Sequence, residues 1–227
     1  MIHKLLPLTF ALVLAVTLRL SAGGWAVVTL DALPESAVAS TPVRLSFTVR
    51  QHGQTLMDGL QPRVVAVAGK DQVASTAQPA GQTGRYVATL SFPRAADWVI
   101  TVDSGFGANS RLTLLPLPVV AEASNRATTQ TAVGRGLRLF VAKGCVTCHQ
   151  NSLESGNTSL GFAPALAARK YEDGHLASIL LKPESVLARS QQPVGAMPNL
   201  GLRPDEVTAL VAFINNVGTV GTASGSR

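Results

Sequence analysis

The chain contains two cysteines, and both fall in one pentapeptide, Cys145-Val146-Thr147-Cys148-His149. No other feature constrains it as much. A disulfide scaffold spreads its cysteines so that bridges join distant segments. Here no distant segments can be joined that way, so every compact unit must be held by apolar burial. The composition permits this: 46% of residues are hydrophobic and 14% are charged, which excludes disorder over the whole chain. The 227 residues fit one or two domains of ~100–200 residues plus a tail or anchor. A thioredoxin-like redox pair needs a βαβ setting, and none precedes Cys145. A zinc site needs four ligands, and beyond Cys145, Cys148 and His149 the candidate is the distant His175.

The spacing of the pentapeptide is that of covalent c-type haem attachment. Two thiols three positions apart on a helical turn reach both vinyl groups of one porphyrin, and the adjacent His149 addresses the iron as proximal ligand. An electron-transfer haem with both axial positions filled needs a second ligand, and methionine accompanies a high potential. Apart from Met1 the chain has Met57 and Met197. Met57 belongs to another part of the chain. Met197 stands in Gly195-Ala196-Met197-Pro198, 48 residues after His149, where proline holds a loop at low entropic cost. A helix signalled by Pro204-Asp205-Glu206 follows directly. His175, the alternative axial ligand, lies in a polar helical stretch and reads as a surface residue. From Val133 the period is helical, with Gly136, Leu137, Phe140 and Val141 on one face and Arg135, Arg138 and Lys143 on the other. Gly144 ends that helix.

Residues 132–218 resemble a class I cytochrome c, an all-α domain. The resemblance rests on Gly136-x-x-x-Phe140, the pentapeptide, Gly161-Phe162-Ala163-Pro164-Ala165-Leu166, Met197-Pro198, and a last helix with Leu210 and Phe213. Two positions depart from the usual pattern: Ala163 stands where glycine is commoner, and Phe213 where tyrosine is. The resemblance implies one haem c bound through Cys145 and Cys148, with His149 and Met197 as axial iron ligands. It implies that the first and last helices cross at Gly136, and that the Pro164 carbonyl accepts the His149 Nδ1–H. It also implies an electron carrier rather than an enzyme, with redox proteins as partners. Arg169 and Lys170 are candidates to neutralise a haem propionate. Arg138, Lys143, Lys170 and Lys182 are candidates for a rim that meets an acidic partner.

At the other end, Lys4 precedes an uncharged run from Leu5 to Leu18, followed by Arg19 and Ser21-Ala22-Gly23. Residues 1–23 fit a secretory signal peptide, and they equally fit a retained membrane anchor with Arg19 snorkelling outward. In either case Lys4 places the rest of the chain outside the cytoplasm, on the periplasmic face of a bacterial membrane.

Residues 24–118 show period two. Val43, Leu45, Phe47 and Val49 alternate with Arg44, Ser46, Thr48 and Arg50, the mark of a half-buried strand. Runs at Trp25–Leu33, Arg63–Ala68, Arg85–Phe92, Trp98–Asp103 and Ser110–Leu115 are separated by turn residues such as His52-Gly53 and Asp58-Gly59. Six or seven strands over ~95 residues predict an immunoglobulin-like β-sandwich. Its expected core is Trp25, Val27, Leu45, Phe47, Val65, Tyr86, Leu90, Trp98 and Ile100. Gly84-Arg85-Tyr86, Phe92-Pro93 and Asp97-Trp98 resemble the FixH/YtkA-like family of membrane-attached extracytoplasmic domains, over residues 25–105. His52 and Met57 are soft metal ligands in one loop, a candidate copper pair that lacks further ligands nearby. Residues 119–131 read as a linker and 219–227 as a disordered tail.

The expected architecture is multi-domain α + β: an N-terminal signal or membrane helix, a sandwich, and an all-α cytochrome c domain. The expected function is single-electron transfer by a membrane-associated monohaem cytochrome, working with a respiratory or photosynthetic complex. In that arrangement the sandwich is a dock and the haem domain a mobile arm. Two alternatives stand beside it: a haem enzyme or ligand sensor with an open sixth site, and a copper-handling module with an attached cytochrome. Nucleic-acid binding is not expected. The formal charge of +6 is dispersed, and aromatic residues make up only 5% of the chain.

Overall fold

The computed structural model describes residues 24–107, 110–122, 130–151, 157, 159–166, 170–187 and 197–216. The expected signal or anchor, the tail, Arg169 and most of the expected linker lie outside these residues. Among the described residues, no helix is long and apolar enough to cross a membrane.

The alternating segment around Phe47 becomes the long strand β3 (Pro42–Gln51), paired antiparallel with β1 (Ala26–Leu30) and β8 (Arg85–Ser91). The short strands β4 (Thr55–Leu56) and β7 (Gln78–Pro79) complete this sheet. In the second sheet β9 (Ala96–Asp103) is central, flanked by β5 (Arg63–Ala68), β10 (Arg111–Thr113) and β11 (Leu117–Val120). The strand β6 (Asp71–Thr76) closes one edge, and β2 (Ala37–Val38) pairs parallel with β11 at the other. Leu45, Phe47, Tyr86 and Leu90 from one sheet share a core with Val64, Ala66, Trp98 and Ile100 from the other. The Tyr86 hydroxyl donates to the Met57 carbonyl at 2.7 Å and accepts from the Leu60 N–H, which pins the loop that carries Met57.

Three expectations need correction. Val65 is half-buried and its neighbours Val64 and Ala66 point inward, because a run of Val and Ala is apolar in either phase. Trp25 is half-buried outside the core, whereas Val27 is buried as expected. Residues 119 and 120, expected in the linker, extend β11.

The C-terminal unit contains α1 (Ala132–Ala142), a 3₁₀ turn (Cys145–Thr147), α2 (Asp173–Leu181), α3 (Pro183–Leu187) and α4 (Pro204–Ile214). Thr131 caps α1 by accepting from the Gly134 N–H. Pro204 opens α4, and the Glu206 carboxylate turns back to accept the Arg203 N–H at 3.0 Å. α1 and α4 cross at Gly136, where a methyl group would overlap the Ala209 carbonyl oxygen and lie 2.5 Å from Phe213 Cβ. Beside the crossing, the Phe140 and Phe213 rings meet with centroids 5.3 Å apart in a tilted pair, a contact worth about 0.5–1.5 kcal/mol beyond its buried area.

The two units are docked rather than strung on a free linker, which corrects the mobile-arm arrangement. β1 is buried along its whole length because its second face receives the helical unit. The Thr29 hydroxyl bonds the Lys143 carbonyl, and Lys143 Nζ donates to the Asp31 carbonyl at 3.0 Å. Arg138 reaches the carbonyls of Pro116 and Pro34. The Asn157 amide accepts from the Thr113 N–H and donates to the Thr113 carbonyl, both at 2.9 Å, so that one side chain stands in for a neighbouring strand on β10.

The crossing makes a direct prediction. Gly136→Ala forces the two helices apart and lowers stability by about 1–3 kcal/mol, the usual cost of overpacking. Gly134→Ala in the same helix changes it by no more than about 0.5 kcal/mol. Denaturant midpoints of the two full-length variants check this.

Candidate metal centre

α1 stops because Lys143 caps it and Gly144 follows in the left-handed conformation at φ +78°, with its N–H on the Val141 carbonyl. The chain then makes a single 3₁₀ turn. The Cys148 and His149 N–H groups both bond the Cys145 carbonyl, at 3.2 and 2.9 Å. Both thiols and the imidazole therefore issue from one turn.

A second loop is laced onto that turn by backbone hydrogen bonds. Leu160 donates to the Thr147 carbonyl, Ala163 to Cys148 and Leu166 to Gln150. This lacing brings the Pro164 carbonyl 2.8 Å from His149 Nδ1. With Nδ1 as the donor in that bond, Nε2 is left as the basic nitrogen that a metal takes. Burial holds His149 below the usual imidazole range, against a smaller opposite effect of the Pro164 bond. The ring is therefore neutral near pH 7, as ligation requires.

The thiols are not set up for thiolate chemistry. Burial, with the neighbouring Cys148 adding to it, pushes Cys145 up to about 12, and burial pushes Cys148 to about 11. A reactive redox pair has its thiolates stabilised, and these are not. Met197, Leu200, Leu166 and Tyr171 pack against the domain core and remain partly buried, so a thioether and an apolar lining border the same unit. Two thiols and an oriented imidazole on one turn suit a covalently held porphyrin. They do not suit a closed ion site, and no group of three or more His, Cys, Asp or Glu stands together among the described residues.

Residues 133–218 match the cytochrome c family model. The C-terminal unit is a cytochrome c domain. It implies one covalently bound haem c and an electron carrier. No curated protein matches the sequence significantly. Among solved structures the chain is similar to the Lin-41 filamin domain, with 8% identity, TM-score 0.35, and 42% of this chain against 93% of that one. It is similar to domains 4 and 5 of the S-layer protein SbsC, with 15% identity, TM-score 0.32, and coverage of 41% and 44%. It is also similar to a superoxide reductase (neelaredoxin) from Ignicoccus hospitalis, with 13% identity, TM-score 0.29, and coverage of 43% and 82%. At such TM-scores these likenesses carry no argument. The FixH/YtkA-like resemblance of residues 25–105 finds no support among these matches.

The other candidates sort by position. His175 is exposed in the first turn of α2, where Glu172 caps its N–H. Lys170 and Lys182 are exposed. Lys143, expected on the same basic rim, is 3% exposed. It forms an ion pair with Glu206, itself 1% exposed, at 3.0 Å. The outer face of α1 is an internal interface, and periodicity cannot tell such a face from a solvated one. Arg138 is likewise committed to sandwich carbonyls. His52 is exposed and packs tilted against Trp25 with centroids 5.4 Å apart, while Met57 packs against the sandwich core.

Lys143 and Glu206 are both removed from water, so deleting one charge strands the other. Arg203 Nη2, 3.2 Å from Glu206, offsets part of that loss. Lys143→Met is expected to cost about 3 kcal/mol, at the low end for a broken buried pair. Equilibrium unfolding of the haem-loaded variant and parent measures it.

Proposed function

We propose that the chain is an extracytoplasmic, membrane-associated monohaem cytochrome that passes single electrons between protein partners. The partners are components of a respiratory or photosynthetic membrane complex. The observation that carries the reading is the 2.8 Å contact between His149 Nδ1 and the Pro164 carbonyl, on the residue that follows both thiols in a cytochrome c domain. Cys145 and Cys148 would hold the group by thioether links, and His149 and Met197 would hold its iron. When bound, the haem supplies the one-electron ferrous–ferric couple.

The residues of the chain do the rest. The Pro164 carbonyl fixes the plane and tautomer of His149, and through it the basicity of the ligating nitrogen. Pro198 restrains the backbone that presents Met197. Leu166, Leu200 and Phe140, part of the apolar core, would keep water from the group, which disfavours the more highly charged ferric form. With both axial positions filled no substrate reaches the metal, and the chain acts as a relay. Lys4 and the apolar run to Leu18 support attachment or export through the membrane.

The test is optical. The ferric protein is expected to be low-spin with the weak far-red band of methionine–iron ligation, and the dithionite-reduced protein to ignore carbon monoxide. Met197→Ala should abolish the far-red band and make the reduced protein bind carbon monoxide. A parent protein that is high-spin and binds carbon monoxide refutes the relay and points to an open sixth site.

A further inference from the structure

The geometry points to a second role for the β-sandwich: its tip, Trp25 with the His52-Gly53 turn, is a wall of the haem site that packs on the loop holding His149 in place and borders the loop bearing Met197. This rests on the haem reading above and goes beyond it by assigning residues outside the cytochrome domain to the site.

The tip is built as a unit. β3 and β4 are joined by Gln51-His52-Gly53-Gln54, with φ +52° at His52 and +72° at Gly53, and the Gln54 N–H bonds the Gln51 carbonyl at 2.9 Å. Two successive positive φ values are the hairpin turn that matches strand twist, and histidine is among the few non-glycine residues that accept such a position. The His52 N–H bonds the Trp25 carbonyl at 3.0 Å, and the two rings pack on each other. The turn and the residue preceding β1 are thereby locked together.

This unit packs on one of the two loops on which ligation depends and lies beside the other. The Trp25 ring lies on Phe162 with centroids 5.0 Å apart, tilted by 38°. Phe162 immediately precedes Ala163, whose N–H bonds Cys148, and Pro164, whose carbonyl bonds His149. On the other loop, the position of a Gly53 side chain would be 3.8 Å from the Pro198 ring, adjacent to Met197. The tip therefore spans from the histidine side of the site to the methionine side. A third contact, Gly144 against the Val28 carbonyl, fixes the sandwich beside the first thiol.

The consequence is physical. The thioether is the more easily displaced ligand, and Pro198, next to it in the chain, lies beside the tip. Removing the tip exposes this side of the site to water, which favours the ferric form and lowers the potential.

The experiment uses the full-length, haem-loaded protein and imidazole as the competing ligand. In the ferric state, Trp25→Ala is expected to bind imidazole roughly tenfold more tightly than the parent, about 1.4 kcal/mol. Its midpoint potential should fall. Trp25→Phe, which keeps an aromatic face for Phe162, should restore most of both properties. His52→Ser, a change at an exposed position, should shift both in the same direction by a smaller amount. Asn157→Ala breaks the interface at β10 rather than at the tip, and should shift neither. Equal imidazole affinity and potential in parent, Trp25→Ala and His52→Ser overturn the inference, as does an Asn157→Ala variant that mimics Trp25→Ala. Covalent haem in the parent, read by its pyridine haemochrome spectrum, tests the underlying reading separately. A parent that matures without it overturns both.

Discussion

Gly144 stands where three demands meet. The first helix of the cytochrome domain must end there, the chain must turn so that Cys145 starts the 3₁₀ turn, and β1 of the sandwich must come close. A left-handed φ of +78° meets the first two, and the lack of a side chain meets the third, since a Cβ would lie 2.5 Å from the Val28 carbonyl oxygen. Any other residue would either unwind the cap or push the sandwich away. The direction of both thiols, the burial of Lys143 and the seating of β1 all follow from this one backbone position.

The charges at the same junction are arranged to tolerate burial. Lys143 gives up water for the Asp31 carbonyl and the Glu206 carboxylate, and Glu206 also closes the cap of α4 and meets Arg203. Buried pairs of this kind contribute little net stability, but they make misaligned docking costly. Directional bonds to the backbone carbonyls of Asp31, Pro116 and Pro34 add a register that apolar contact alone would not supply. The helical unit and the sandwich therefore hold one relative position, and the haem site gains a neighbour with aromatic side chains. A tethered carrier swinging on a linker would expose its ligand loops to water on all sides. A docked one shields part of them.

Much of the site was legible in the residues. Cys145, Cys148 and His149 form a local pattern whose chemistry depends only on spacing, and Met197-Pro198 is a conspicuous thioether in a stiffened loop. The Gly136 crossing and the Pro164 contact were implied by resemblance to a cytochrome c domain, and the helix packing and the 2.8 Å bond follow that expectation. Other features depended on distant partners. Val64 and Val65 are equivalent to any reading of hydrophobic alternation, and only the pairing of β5 with β9 chose the inward one. Lys143 looked like part of a solvated face because nothing nearby in the chain announces Glu206. Trp25 looked like sandwich core because an aromatic residue at a strand start usually is, whereas here it packs outward on Phe162.

The sequence by itself determined the chemistry: two thiols and an imidazole on one turn, a single well-placed methionine, and an alternating β region. These are short-range facts of spacing, and local backbone geometry converts them into structure without outside help. Tertiary structure decided how the β region relates to that chemistry. Whether β1 is open or covered on its second face, and whether Lys143 meets water or Glu206, depends on surfaces brought together from distant parts of the chain. Their complementarity resides in shape and in unpaired backbone carbonyls, and neither leaves a mark in the order of residues.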